Sequence, residues 1–122
     1  MIHIVDDDEA VRSSLSVLAR SYGWHTRLFA SAKAFLDALS DGDPSCLLLD
    51  LNMPGTNGAE LMELLSQRQA AFPVIAITGQ SQSSLVTRVL AAGARLVLHK
   101  PFPSEDLKSA VDNAIGRCPQ DC

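Results

Sequence analysis

The 122-residue chain suits one domain, and with 47% hydrophobic residues it can bury roughly two-thirds of its unfolded surface rather than stay disordered. Its net charge of −4, with no basic run, argues against nucleic-acid binding by this segment itself. It has no apolar run near the roughly 20 residues of a membrane span, no opening signal peptide and no disulfide framework among its three cysteines, which fits a reducing cytoplasm and no membrane contact.

Strand-like and helix-like stretches alternate five times along the chain. The strands are expected at about 2–5, 25–29, 46–49, 74–77 and 95–98. The first, third and fourth are near-continuous apolar runs, the mark of strands covered on both faces. Val11, Leu15, Leu18 and Ala19 give the first helix its 3–4 spacing, and Gly23 stops it. Ser31 is an N-cap ahead of Ala34, Phe35 and Leu39, which share one face. Asn57 and Glu60 resemble a capping box before Leu61, Leu64 and Leu65. Leu85, Val86, Val89 and Leu90 precede Gly93, a C-cap signal. Pro103 and Ser104 open a last stripe of Leu107, Val111, Ala114 and Ile115. Short right-handed crossovers predict a compact three-layer α/β fold with a doubly wound parallel sheet, for which the common strand order 2-1-3-4-5 is favoured. The domain is expected over 1–116, and 117–122 reads as a tail or the start of a linker.

Four strand ends then share one rim, where open α/β sheets build sites. Asp6 and Asp7 follow the first strand, Asp50 the third, Thr78 the fourth and Lys100 the fifth. Two carboxylates about 4 Å apart repel by roughly 4 kcal/mol at an effective dielectric of 20, so three together need protons or a cation. An oxygen-rich site with few protein ligands suits Mg²⁺. Asp8 and Glu9 read more simply as helix-start residues. With its neighbours neutralised, Asp50 can act as a carboxylate nucleophile toward a phosphoryl group. The Thr78 hydroxyl could then donate to a phosphoryl oxygen, and Lys100 could offset its charge. The Lys100-Pro101 bond has the option of cis geometry. His3, His25 and His99 lack metal spacing and are expected to be partly exposed. Trp24 is expected at a helix–strand corner, Cys46 in the core, and Cys118 and Cys122 in the tail.

Taken together, Ile4-Val5-Asp6-Asp7-Asp8, Leu49-Asp50-Leu51-Asn52-Met53-Pro54-Gly55, Ile77-Thr78-Gly79 and Lys100-Pro101-Phe102 resemble the receiver domain of bacterial two-component response regulators. Ser31-Ala32-x-Ala34-Phe35-Leu36 and Ala91-Ala92-Gly93-Ala94 are similar to the FixJ-like subgroup, whose receivers commonly precede a DNA-binding output domain. The resemblance implies a flavodoxin-like (βα)₅ fold and a signalling protein rather than an enzyme, one that catalyses only its own phosphoryl transfer and dephosphorylation. It makes Asp50 the phosphoacceptor and a sensor histidine kinase the donor. It has Asp7 and Asp50 bind Mg²⁺ through carboxylates, Asn52 through its carbonyl and Asp6 largely through water. Thr78 and Lys100 engage the phosphoryl group, and Asn52 and Gln80 tune access of water. Output would run through the face made by the fourth helix, fifth strand and fifth helix, with homodimerisation there and DNA contact only through a separate domain.

Val97 departs from the pattern, because receivers usually carry an aromatic residue three positions before the lysine. The polar run Gln80-Ser81-Gln82-Ser83-Ser84 is a second departure and predicts a mobile loop. Two other readings compete. A haloacid-dehalogenase-type phosphatase would use Asp6-x-Asp8 with Thr78 and Lys100, but leaves Asp50 without a role. A receiver-like binding module indifferent to phosphate is the reading Val97 prompts.

Overall fold

A computed structural model describes residues 1–39, 42, 44–51, 58–70, 72–79, 83–100 and 102–115. Five strands, β1 (Ile2–Val5), β2 (Thr26–Phe29), β3 (Cys46–Asp50), β4 (Val74–Thr78) and β5 (Leu96–His99), alternate with five helices, α1 (Glu9–Ser21), α2 (Ala32–Ala38), α3 (Gly58–Gln67), α4 (Ser83–Ala91) and α5 (Ser104–Ala114). The strands form one parallel sheet in the order β2-β1-β3-β4-β5. The expected topology is therefore found, with strand ends shifted by one residue. Asp50 and Thr78 are the last residues of their strands rather than the first beyond them.

Two apolar layers flank the sheet because strand side chains alternate between its faces. Ile4, Leu48, Ile75, Ile77 and Leu98 pack with Leu15 of α1 and with Leu107 and Val111 of α5. Val5, Leu47, Leu49 and Ala76 pack with Phe35 of α2, Leu61 and Leu65 of α3, and Val89 of α4. Burying each leucine of β3 contributes about 1.5–3 kcal/mol. Cys46 lies in the core, and burial pushes its thiol up to about 12.

The helix signals act as expected at most positions. The Ser31 hydroxyl accepts from the Ala34 N–H at 3.1 Å, and Gly23 and Gly93 take positive φ after α1 and α4. Three stripe residues fall outside the core. Ala34 is exposed, while Ala32 and Ala38 face inward; Leu64 and Leu90 are also exposed. Trp24 packs half-buried against Tyr22 at the end of α1. His25 and His99 are exposed, but His3 is a correction. It is buried, with its ring 5.2 Å from Phe29 and 5.8 Å from Phe35. Alternation along β1 turns it toward α2, where these aromatics close over it. Burial chiefly, then Arg27 and the terminal amine, hold His3 below its ordinary value. Residues Asn57, Pro101, Cys118 and Cys122, with the run from Gln80 to Gln82, lie outside the described residues. Among the described residues, no helix is long and apolar enough to cross a membrane.

Candidate functional site

Sheet register assembles the acidic site. Val5 of β1 pairs with Leu49 of β3, so the next residues, Asp6 and Asp50, emerge side by side at the carboxyl rim. On the far side of β3, Thr78 of β4 pairs with His99 of β5, and the Lys100 N–H donates to the Thr78 carbonyl at 2.8 Å. Asp6, Asp50 and Thr78 are buried, whereas Asp7 is exposed and Lys100 half-buried. One carboxylate oxygen from each of Asp6, Asp7 and Asp50 lies within 4.8 Å of the others.

Asp6 holds the centre. Its Oδ1 accepts the Asp8 N–H at 2.9 Å. Its Oδ2 is buried without a hydrogen-bond partner and stands 3.9 Å from the Lys100 Nζ. Burial above all pushes the Asp6 carboxyl up to about 6; the Asp8 N–H pulls it down, the Asp50 carboxylate pushes it up and Lys100 pulls it down. An unbonded buried carboxylate oxygen is costly, and a hard cation with oxygen ligands relieves that cost. The three carboxylates therefore fit a hard divalent cation in donor chemistry.

Local sequence fixes the frame. Asp8 caps α1, accepting from the Ala10 N–H at 2.9 Å and the Val11 N–H at 3.4 Å, and Glu9 sits in the first turn, so both play the helix-start role expected of them. Arg12 donates from Nη1 to the Asp6 carbonyl at 2.7 Å. At the start of α3, Gly58 packs against the chain that carries Asp50. A Cβ there would stand 2.8 Å from the Asp50 carbonyl oxygen and 2.7 Å from Leu51 Cδ2. Sequence reasoning passed over Arg12 and Gly58; their signals were an arginine one turn into a helix that follows an acidic turn, and a glycine where a helix begins. Asn52 and Gln80 lie outside the described residues. Val97 is half-buried against the α2–α3–α4 layer, paired with Ala76.

Residues 2–112 match the response regulator receiver domain family. The chain belongs to that family. The receiver is 38% identical to the transcriptional regulatory protein FixJ of Bradyrhizobium diazoefficiens, over 93% of this chain and 56% of FixJ. It is 38% identical to the response regulator protein TmoT of Ectopseudomonas mendocina, over 98% of this chain and 54% of TmoT. The solved structure of FixJ-N superposes with a TM-score of 0.89 at 33% identity, covering 96% of this chain and 94% of that one. The receiver thus spans about half the length of the curated relatives it matches. It is the receiver domain of a two-component response regulator, a signalling module rather than a classical enzyme, and the dehalogenase-type reading is not favoured.

Proposed function

We propose that Asp50 accepts a phosphoryl group from a phosphohistidine on a sensor histidine kinase, with Mg²⁺ held by the Asp7 and Asp50 carboxylates, by the Asn52 carbonyl and, largely through water, by Asp6. The observation that carries this is the clustering of one carboxylate oxygen from each of Asp6, Asp7 and Asp50 within 4.8 Å of one another, beside the buried Asp6 side chain whose Oδ2 has no hydrogen-bond partner. When bound, Mg²⁺ supplies positive charge that offsets the carboxylates and the transferring phosphoryl oxygens. The Asp50 carboxylate attacks phosphorus, its new O–P bond forms as the N–P bond breaks, and the departing imidazole nitrogen retains the electron pair. Asp7 would hold the cation directly and Asp6 largely through water while the group is transferred. Thr78 donates its hydroxyl to a phosphoryl oxygen, and Lys100 moves its ammonium from Asp6 toward the phosphoryl charge. An apolar recess of about 400 Å³, lined by Val11, Leu15 and Phe102 among others, adjoins Lys100 and offers the donor protein a footing beside the site.

Phosphorylation then alters the α4–β5–α5 face, where Leu90 and Leu96 are exposed apolar side chains suited to homodimerisation. Residues 1–116 make up the receiver and 117–122 a tail or the start of a linker; DNA contact and control of transcription, in the cytoplasm, would fall to a separate output domain of a full-length protein. Incubation with acetyl phosphate and Mg²⁺, followed by intact-mass measurement, tests the proposal. One phosphoryl group per chain is expected, lost when Mg²⁺ is chelated; uptake that persists under chelation would overturn the cation's role.

A further inference from the structure

Arg12 makes a contact that phosphoryl transfer as described above does not use. Its Nη1 donates to the carbonyl oxygen of Asp6 at 2.7 Å, the short distance of a charge-assisted bond. The turn between β1 and α1 is also held at other points. The Asp6 N–H donates to the Phe29 carbonyl at 3.1 Å, the Asp8 N–H to Asp6 Oδ1 at 2.9 Å, and the Arg12 N–H to the Asp8 carbonyl at 2.9 Å. These bonds fasten residues 6 and 8. Asp7 is exposed between them, so the main chain on either side sets where its carboxylate points.

The geometry points to Arg12 as a positioning residue, whose guanidinium clasps the Asp6 carbonyl, fixes the β1–α1 turn and so aims the Asp7 carboxylate at the cation site. This rests on the proposed Mg²⁺ site and goes beyond it by adding a residue that is not a ligand. Partners outside the ligand shell commonly govern metal affinity in this way. A bystander charge would act with the opposite sign. A guanidinium near a dication repels it, so deleting a mere bystander would tighten Mg²⁺ binding. The charged groups acting on the Asp6 carboxyl are Asp50 and Lys100, whereas Arg12 reaches the main chain.

The test compares wild type with Arg12→Ala, Arg12→Gln and Arg12→Lys. Mg²⁺ affinity is measured by calorimetry at pH 8, and hydrogen exchange of the Asp8 amide by NMR without metal. Arg12→Ala is expected to weaken Mg²⁺ binding about tenfold and to speed Asp8 exchange. Arg12→Lys, which keeps a charged donor, recovers most of both, and Arg12→Gln, whose donor is neutral and on a shorter side chain, falls between Ala and wild type and supplies the readouts where the alanine variant folds poorly. Unchanged or tighter Mg²⁺ binding in Arg12→Ala would overturn the inference, as would unchanged Asp8 exchange. Wild type that binds no Mg²⁺ would remove the cation site itself, and Asp8 exchange would still decide whether Arg12 holds the turn.

Discussion

The Lys100 ammonium stands 3.9 Å from Asp6 Oδ2, an ion pair drawn across the rim from the end of β5 to the end of β1. It is at the outer limit of such contacts, and the lysine end is one-third exposed while the aspartate end is buried. Lys100 therefore offsets Asp6 without closing the site. Replacing it removes a positive charge near the proposed cation. Lys100→Ala is expected to bind Mg²⁺ about threefold to tenfold more tightly at pH 8, the scale of one partly screened charge. The same variant is expected to lose phosphoryl uptake from acetyl phosphate. Calorimetry and intact-mass measurement together check both directions.

Proton and cation compete for Asp6. Its carboxyl is pushed up to about 6 from 3.8, so Mg²⁺ affinity should rise as pH climbs through about 6 and level off above it. A loss of about tenfold between pH 7 and pH 5 is the expected scale for one competing proton. Without metal the sign reverses for stability. The raised carboxyl contributes stability that is fully present below pH 3.8 and is lost as pH rises through about 6. Calorimetric titrations across pH 5–8, paired with melting curves with and without Mg²⁺, separate the two.

His3 gives the opposite slope. Its folded value lies below 6.5, so its contribution to stability is present above 6.5 and is lost as pH falls below that value. The facing charges, Arg27 and the terminal amine, are both positive and give an imidazolium no support. His3→Phe keeps a ring against Phe29 and Phe35 without the titration. Its melting temperature, referred to wild type at each pH, should improve steadily from pH 7.5 to 5.5; a pH-independent difference would rule out the buried neutral histidine.

Gly58 ties α3 to the chain carrying Asp50. A methyl group there meets backbone at 2.8 Å, so something must shift. Gly58→Ala is expected to cost about 1–3 kcal/mol, the usual range for overpacking. It should also slow phosphoryl uptake, since the strained neighbour is the Asp50 carbonyl. Denaturant unfolding and acetyl phosphate labelling measure the two effects.

The sheet and its rim were legible because their signals are local. Leu47-Leu48-Leu49-Asp50 states a buried strand and the carboxylate that ends it, and the other strand ends repeat the pattern. His3 was misjudged because its cover, Phe29 and Phe35, comes from elements some 26 and 32 positions away, and alternation alone does not say which face is sealed. Leu64 and Leu90 extend their helical stripes in sequence yet are exposed, because spacing alone does not say where the stripe that faces the core ends. Gly58 and Arg12 were missed because their work is done on backbone atoms, which carry no residue signature.

The most direct test of the acceptor is chemical trapping of the phosphorylated protein. Borohydride reduces an acyl phosphate and turns the acceptor aspartate into homoserine, which peptide sequencing locates. Phosphorylation with acetyl phosphate and Mg²⁺ should place homoserine at position 50, with none formed in Asp50→Asn. Homoserine at Asp6 or Asp7, or undiminished phosphoryl uptake by Asp50→Asn, would contradict the assignment.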